Sequence, residues 1–251
     1  MENEYIRTDE VTEVCLLAGK IMLQNGAETY RVEDTMTRIA AAFGILHSHS
    51  FVTPTGIIFS IDGSETTRLI RVSERFTNLE KVAVVNDISR KISEKKLTVQ
   101  DACERLKEVE KTKYSFPVWI QIIAAALASG CFLIMFQGKW IDFLPAVITG
   151  GVGFCALLYF QYLVEIKFFA EFVSAFIIGL LAFLLVMSGF GHEIDKIIIG
   201  AVMPLVPGLL ITNAVRDLMA GHLVSGISKG AEACLTAFAI GTGIAVVFSI
   251  I

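Results

Sequence analysis

The stretch FLPAVITGGVGFCALLYFQYLV, Phe143–Val164, has 22 residues and no charged side chain. Because a helix rises about 1.5 Å per residue, about 20 apolar residues cross the roughly 30 Å hydrocarbon core of a bilayer. The stretch therefore predicts a transmembrane helix. Further uncharged stretches of similar length lie on either side of it, and together they predict five spans, at about residues 117–138, 143–164, 170–191, 195–215 and 231–251.

Charged residues are concentrated in the first half of the chain. Residues 1–116 carry 34 of the 46 charged side chains, and residues 117–251 carry the other 12. The whole chain is 54% hydrophobic and 18% charged, against roughly 25% charged in an ordinary globular protein. This composition excludes a secreted, fibrous or disordered protein. It predicts a polytopic α-helical membrane protein, with a small α+β domain over residues 1–116 and a transmembrane domain over residues 117–251.

The charges near the ends of the spans predict an orientation. If residues 1–116 are cytoplasmic, the inner side carries five Lys and Arg residues close to the membrane and the outer side carries two. This excess follows the positive-inside rule and predicts a multi-pass protein of the plasma or inner membrane with a cytoplasmic N-terminus. Glu171 enters the third span near its start, and we interpret it as an interfacial side chain that snorkels toward water.

The fourth predicted span, IIIGAVMPLVPGLLITN at Ile197–Asn213, contains two prolines. Pro204 and Pro207 remove two backbone donors, and Gly208 adds backbone freedom in the same turn. An interruption near the midplane of the bilayer leaves polar backbone groups that must line a cavity or contact other protein. A second half-helix that begins near Gly208 would point its positive end at a solute carboxylate. The alternative is a helix that is only kinked.

Polar side chains follow this break and extend the predicted solute pathway to Asn213, Arg216 and Asp217. Arg216 offers a planar guanidinium to a carboxylate, and Asp217 could hold that guanidinium or carry a proton. The alternative is an interfacial ion pair that ends the helix. Small residues after it predict a flexible loop before the fifth span, and they are Gly221, Ser225 and Gly226.

The N-terminal part shows two periodicities. A 3.6-residue period predicts helices, and a period near two, with turn residues such as Pro54 and Gly56 between the runs, predicts strands. Thr98 and Asp101 have the spacing of a capping box at the start of one helix. The predicted helices are 9–24, 27–43, 78–95 and 98–111, and the predicted strands are 46–53, 57–61 and 67–72.

The densest polar cluster opens the second helix, at Gly26, Glu28, Thr29, Tyr30, Arg31 and Glu33. Acidic residues in a first turn suit the helix dipole, but the dipole does not account for Tyr30 and Arg31 beside them. The sequence lacks nucleotide-binding, zinc-protease and serine-hydrolase motifs. It therefore predicts no cofactor, no metal and no catalytic residue, and its acidic balance gives no reason to expect a nucleic acid.

The segment LAGKIMLQNGAETYRVE, Leu17–Glu33, resembles the opening of the threonine/serine exporter (ThrE) family, in its YjjP-like N-terminal module. Pro54–Gly56 is similar to a strand turn of that family. A third similarity covers the end of the fourth span and the residues after it, with Pro207, Gly208, Asn213, Asp217, Gly221, His222, Ser225 and Gly226. The resemblance extends over essentially the whole chain.

The resemblance implies a cytoplasmic domain, about five spans, and export of small amino acids driven by an ion gradient. It implies a partner, a second and smaller YjjB-like membrane subunit, together with the lipid bilayer and a small carboxylate-bearing solute. It makes Glu28, Thr29, Arg31 and Glu33 candidates for a functional cytoplasmic surface. Export of a small dicarboxylate such as succinate, a self-sufficient homo-oligomer, and a membrane-anchored enzyme or sensor remain the alternatives.

Overall fold

A computed structural model describes residues 2–63, 67–112, 116–164 and 166–250, with the backbone alone for residues 2–7. The chain forms two compact units. The first contains Met1–Ser115 and Leu209–Gly230, and the second contains Phe116–Gly208 and Ala231–Ile251. The described helices are α1 Glu2–Gln24, α2 Thr29–Ala42, α3 Leu79–Ser93, α4 Val99–Lys111, α5 Val118–Met135, α6 Phe143–Val164, α7 Lys167–Met187, α8 Ile194–Val202, α9 Gly208–Met219 and α10 Leu223–Ile250.

The core of the first unit forms around α1. The predicted apolar stripe of this helix is buried, and its members Val11, Val14 and Ile21 are at most 1% exposed. Helices α1 and α2 approach closely, since a methyl group at Gly19 would lie 2.5 Å from Met36 Sδ. The core also takes in apolar side chains from α3, α4 and the sheet.

Three short strands form an antiparallel sheet in the order β1, β2, β3, with β1 at Ser48–Thr53, β2 at Gly56–Ile61 and β3 at Arg68–Arg71. Thr53 pairs with Gly56, so Pro54 and Thr55 form the predicted turn. Side chains at alternate positions point to the same face of the sheet, and on one face the side chains of Val52, Ile57 and Phe59 are buried. The three predicted strands are confirmed, with β1 and β3 shorter than predicted.

Helix ends in the first unit follow known capping rules. The predicted capping box is confirmed, because the amide of Asp101 donates to Thr98 Oγ1 and the amide of Thr98 donates to Asp101 Oδ2. Helix α2 begins at Thr29 instead of Ala27. The reason is a Schellman motif that ends α1, with Gly26 at φ +91° and the amide of Ala27 donating to the carbonyl of Met22 at 3.1 Å.

Small residues allow the helices of the second unit to pack closely. A methyl group at Gly150 would lie 2.0 Å from Ser129 Oγ, and one at Gly153 would lie 2.3 Å from Ile178 Cγ1. A methyl group at Gly200 would meet the carbonyl of Ser129 at 2.7 Å. Helices α5, α6, α7 and α8 therefore pack backbone against backbone, as expected in lipid, where van der Waals contact drives association.

Four described helices are long and apolar enough to cross a membrane, namely Val118–Met135, Trp140–Val164, Lys167–Met187 and Leu223–Ile250. These candidate spans lie at the positions of the predicted first, second, third and fifth spans. The fourth predicted span is not one straight helix: Ile194–Leu205 and Gly208–Met219 qualify only as a bent pair. The predicted interruption is confirmed, because α8 gives way to a 3₁₀ turn at Met203–Leu205 and α9 begins at Gly208.

Candidate functional site

A buried carboxylate lies at the centre of the candidate site in the first unit. Asp217 on α9 has no exposed surface, and its carboxylate accepts three hydrogen bonds. The amide and the hydroxyl of Thr29 each donate at 2.9 Å, and Lys229 Nζ donates at 2.7 Å. Lys229 also donates to Thr29 Oγ1 at 3.2 Å. We call these three residues the Asp217 network.

The start of α2 explains why Thr29 takes part. The first amides of a helix have no acceptor within the helix, and the dipole favours a negative charge there. The side chain of Glu28, the residue before α2, makes no capping hydrogen bond. Asp217 supplies the missing acceptor to the amide of Thr29, so residues 188 positions apart together cap this helix.

Beside the network, two guanidinium groups share one carboxylate. Glu28 is 5% exposed, with Oε1 at 2.5 Å from Arg216 Nη1 and Oε2 at 3.3 Å from Arg31 Nε. The suggestion that Asp217 holds Arg216 is therefore wrong: Arg216 pairs with Glu28, and Asp217 pairs with Lys229. Each guanidinium has five N–H donors. The two therefore keep spare donors for a second oxyanion.

Two further contacts join α9 and the start of α10 to the N-terminal residues. Asn213 Nδ2 donates to the carbonyl of Gly26 at 2.9 Å. Ser225 Oγ donates to the carbonyl of Val52 at 3.1 Å, while the amide of Val52 donates to Glu33 Oε1 at 2.8 Å. The two bonds of Val52 satisfy backbone groups on the side of β1 that faces away from β2.

The prediction of a flexible loop at Gly221, Ser225 and Gly226 is wrong. Helix α9 ends in a Schellman motif, with Gly221 at φ +88° and the amide of His222 donating to the carbonyl of Asp217 at 2.9 Å. Ser225 and Gly226 already belong to α10. A methyl group at Gly226 would lie 2.5 Å from Leu218 Cγ, so this glycine serves close packing and not flexibility.

Other predicted residues line an open groove or belong to the second unit. Tyr30 and Arg31 line an open groove of about 650 Å³ between α2 and α3, together with Arg38 and Arg90. Pro204, Pro207 and Gly208 belong to the second unit, whereas Asn213, Arg216 and Asp217 belong to the first. The structure thus brings the α2 motif together with the second half of the broken pair.

Sequence reasoning missed Lys229 as a site residue and counted it only among the charges near the membrane. A signal was present, because Lys229 and Glu232 are the charged residues of an otherwise apolar helix of 28 residues. A charge in such a helix is costly unless it is paired. The partner was not evident, since Asp217 precedes Lys229 by 12 positions and the tight turn between α9 and α10 was not predicted.

Glu33 is the titratable group of the site whose pKa is clearly displaced. Burial raises the pKa of this carboxyl above its ordinary value and nearby Asp217 adds to that rise, although the amide of Val52 and His222 act in the opposite direction. His222 Nδ1 lies 3.7 Å from Glu33 Oε1. Among the described residues, no three His, Cys, Asp or Glu side chains come together as a metal site.

The sequence of the chain matches a known protein family. The model of the family described as "Putative threonine/serine exporter" matches residues 13–251. A Klebsiella aerogenes protein named "Probable succinate transporter subunit YjjP" is 28% identical, over 93% of this chain and 91% of that protein. A protein of the same name from Escherichia coli is 27% identical, over 96% of this chain and 94% of that protein.

A Mycobacterium tuberculosis protein named "Probable threonine/serine exporter" is 21% identical, over 95% of this chain and 46% of that protein. No solved structure matches the chain significantly. The family match extends over nearly all of both units and includes the α2 motif, the bent pair and Lys229. The chain therefore belongs to the threonine/serine exporter (ThrE) family of membrane proteins, and its role is in transport.

Proposed function

We propose that this chain is one subunit of a gradient-driven exporter of small carboxylate-bearing solutes, with threonine and serine as the first candidates. The observation that carries the proposal is the shared carboxylate of Glu28. Two guanidinium groups, Arg31 and Arg216, face this single carboxylate, and their side chains are 42% and 51% exposed. They can therefore reach a solute carboxylate from water with charge-assisted, planar hydrogen bonds.

The Asp217 network has a supporting role in this proposal. It joins α2 to α9 and α10 through contacts that are almost fully buried. Arg31 lies on α2 and Arg216 on α9, so the relative position of these helices sets the distance between the two guanidinium groups. A solute that draws one guanidinium away from Glu28 would thereby act on the helix that follows the break at Pro207.

We further propose a YjjB-like membrane protein as the second subunit. The names of two relatives that align over more than nine tenths of their own length include the word subunit. These names support a transporter that is built from more than one kind of chain. Residues 1–116 are proposed to lie in the cytoplasm, with support from the positive-inside excess.

Succinate is the alternative solute, and one feature of the site favours it. Two cations beside one protein carboxylate leave an excess positive charge, which suits a second carboxylate on the solute. The names of the two subunit relatives mention succinate. A neutral amino acid carries one carboxylate and one ammonium group, so the second charge is what distinguishes the two solute classes.

Efflux of preloaded, labelled threonine, serine and succinate tests the proposal, in cells that express this chain alone, with a YjjB-like partner, or not at all. We expect efflux only with the partner, and loss of efflux when ionophores collapse the ion gradients. Arg216→Gln should weaken efflux because it removes one guanidinium, while Arg105→Gln, on the exposed face of α4, serves as the matched control.

Three results would contradict the proposal. Efflux from this chain alone would indicate a self-sufficient transporter and remove the partner from the proposal. Equal efflux by Arg216→Gln and Arg105→Gln would remove the guanidinium pair from solute binding. If the chain is present in the membrane with its partner and none of the three solutes leaves the cells, the proposed solute class is wrong.

A further inference from the structure

Glu171 is a buried carboxylic acid in the second unit, in the second turn of α7. The whole residue is only 4% exposed. The expectation that it snorkels to water is therefore wrong. Lys167, one turn earlier on the same helix, is the side chain that reaches outward, with 45% of its surface exposed. Glu171 points into the protein instead.

The carboxyl group of Glu171 is not fully satisfied. Within the part of the chain that the structure describes, its Oε2 atom has no hydrogen-bond partner, and the neutral hydroxyl of Thr236 on α10 lies beside the carboxyl group. An ionised carboxylate with so few donors loses more hydration than it regains in hydrogen bonds, which costs several kcal/mol. A neutral carboxylic acid avoids most of this cost and can donate its own proton. The surroundings therefore favour the protonated form.

Two charged groups surround this acid, one on each helix. Lys167 Nζ lies 2.9 Å from Glu232 Oε1, so this pair joins α7 to α10. Lys167 is four positions before Glu171 on the same helix, a spacing that lets the two side chains meet. Lys167 is thus already bound to another carboxylate.

Close packing of α7 and α10 makes this arrangement sensitive to charge. A methyl group at Gly243 would lie 2.4 Å from the carbonyl of Phe172, and one at Gly179 would lie 3.0 Å from Val247 Cγ2. A negative charge at Glu171 would be stabilised best by a bond to a cationic side chain.

We propose that Glu171 is a proton-binding site that couples a proton gradient to export. This inference rests on the proposed function, because it names a residue that would bind the coupling ion of that transporter. In one state the acid is protonated and Lys167 is bound to Glu232. In the other, the O–H bond of Glu171 breaks, the proton leaves to water, and the carboxylate competes with Glu232 for Lys167.

The exchange of Lys167 between two carboxylates gives the proton a structural consequence. Lys167 and Glu171 lie on α7 and Glu232 on α10, so a change of partner weakens one contact between these helices. Coupling requires an element with two stable arrangements. Here they are Lys167 bound to Glu232 and Lys167 bound to Glu171, and each is favoured by one protonation state of Glu171. A solute that prefers one arrangement changes the proton affinity of Glu171 by linkage.

Infrared spectroscopy of the purified full chain in lipid nanodiscs tests the site itself. We expect the carbonyl band of a protonated, buried carboxylic acid at neutral pH, its loss on titration to alkaline pH, and its absence in Glu171→Gln. Asp195→Asn, an exposed carboxylate of α8, is the matched control and should keep the band. If the band is missing in the wild type, or unchanged in Glu171→Gln, the proton site is refuted.

Transport by the chain with its partner tests the coupling. Glu171→Gln is the neutral isostere of the protonated acid, so it should fold, keep one-for-one solute exchange and lose export driven by a pH gradient. Export by Glu171→Gln that still follows the pH gradient would overturn the coupling role. Absence of any wild-type transport would refute the proposed function and with it the coupling, while the infrared band would still decide the proton site.

Discussion

Two buried carboxylates, one from each unit of this protein, have opposite environments. Asp217 in the first unit has no exposed surface and receives three donors, one of them the ammonium group of Lys229. Glu171 in the second unit is 4% exposed, and one of its two oxygens has no partner among the described residues. The nearest cation is already bound to Glu232.

This difference separates two uses of a buried acid. A fully paired carboxylate fixes the relative position of the elements that pair with it, and removing any partner leaves an uncompensated charge. A carboxylate with few donors is favoured in its neutral, protonated form, so few contacts of the folded protein depend on its charge. We therefore expect Asp217 to hold the first unit together and Glu171 to change its protonation state.

The largest effect is expected from Lys229→Met, which leaves Asp217 buried without its cation. Breaking one side of a buried pair typically costs about 3–5 kcal/mol of unfolding free energy. The measurement is thermal unfolding of the purified full chain in detergent. Lys96→Met, on an exposed ion pair, should leave the melting temperature unchanged. The double variant Lys229→Met, Asp217→Asn should recover part of the loss; no recovery would mean that the loss does not come from the unpaired charge.

Thr29→Val tests how much the hydroxyl of Thr29 stabilises the Asp217 network. The substitution keeps the shape of the side chain but removes the hydroxyl that donates to Asp217 and accepts from Lys229. A lost partner of a buried polar group costs about 1–3 kcal/mol, so unfolding should occur at a lower temperature. Thr29→Ser keeps the hydroxyl and should resemble the wild type. An unchanged unfolding temperature in Thr29→Val would mean that the hydroxyl does not stabilise the Asp217 network.

A smaller effect concerns the pH dependence of stability at Glu33. Burial raises the pKa of this carboxyl in the folded protein, so its contribution to stability is complete below the ordinary Glu pKa of about 4.3. That contribution is lost as the pH rises through the higher pKa of the folded state. Glu33→Gln removes this titration, so its stability relative to the wild type should increase with pH over that range.

Melting temperatures across a pH series measure this effect. Glu104→Gln, on the exposed face of α4, is the control and should follow the wild type at every pH. A wild type and Glu33→Gln that differ by a constant amount over the series would show that the Glu33 carboxyl ionises as easily in the folded chain as in the unfolded chain.

The smallest effect on stability is expected from Glu171→Gln. Since the amide resembles the protonated acid in shape and charge, the melting temperature should stay unchanged at neutral pH. Asp217→Asn is the matched change in the other unit and should lower it, because Lys229 then keeps a buried charge without a counterion. Equal destabilisation by the two substitutions would contradict the distinction between the two carboxylates.

Hydrophobic stretches and capping signals predicted most of the helices. Phe143–Val164 has the same bounds in the sequence and in the structure, because both ends of the apolar run coincide with the ends of the helix. The break at Pro207 was equally predictable, since proline cannot donate within a helix. The turn at Gly221 was misjudged, because glycine followed by small polar residues also occurs in flexible loops.

The candidate site was only partly accessible from the sequence. The α2 motif and Asp217 were named separately, but the hydrogen bond between Thr29 and Asp217 joins residues 188 positions apart. Helical spacing predicts neighbours three or four positions apart, so it correctly paired Glu28 with Arg31. Spacing along one helix carries no information about partners on another, which is why Arg216 was assigned to the adjacent Asp217.

The sequence alone determined that this chain is a helical membrane protein with a charged N-terminal part, because hydrophobicity and charge are properties of single residues and short segments. It also determined where helices are interrupted, since glycine and proline act on the local backbone. Only the tertiary structure decided which buried charges are compensated. Compensation depends on distances of about 3 Å between side chains from different helices, and the packing of the whole unit sets those distances.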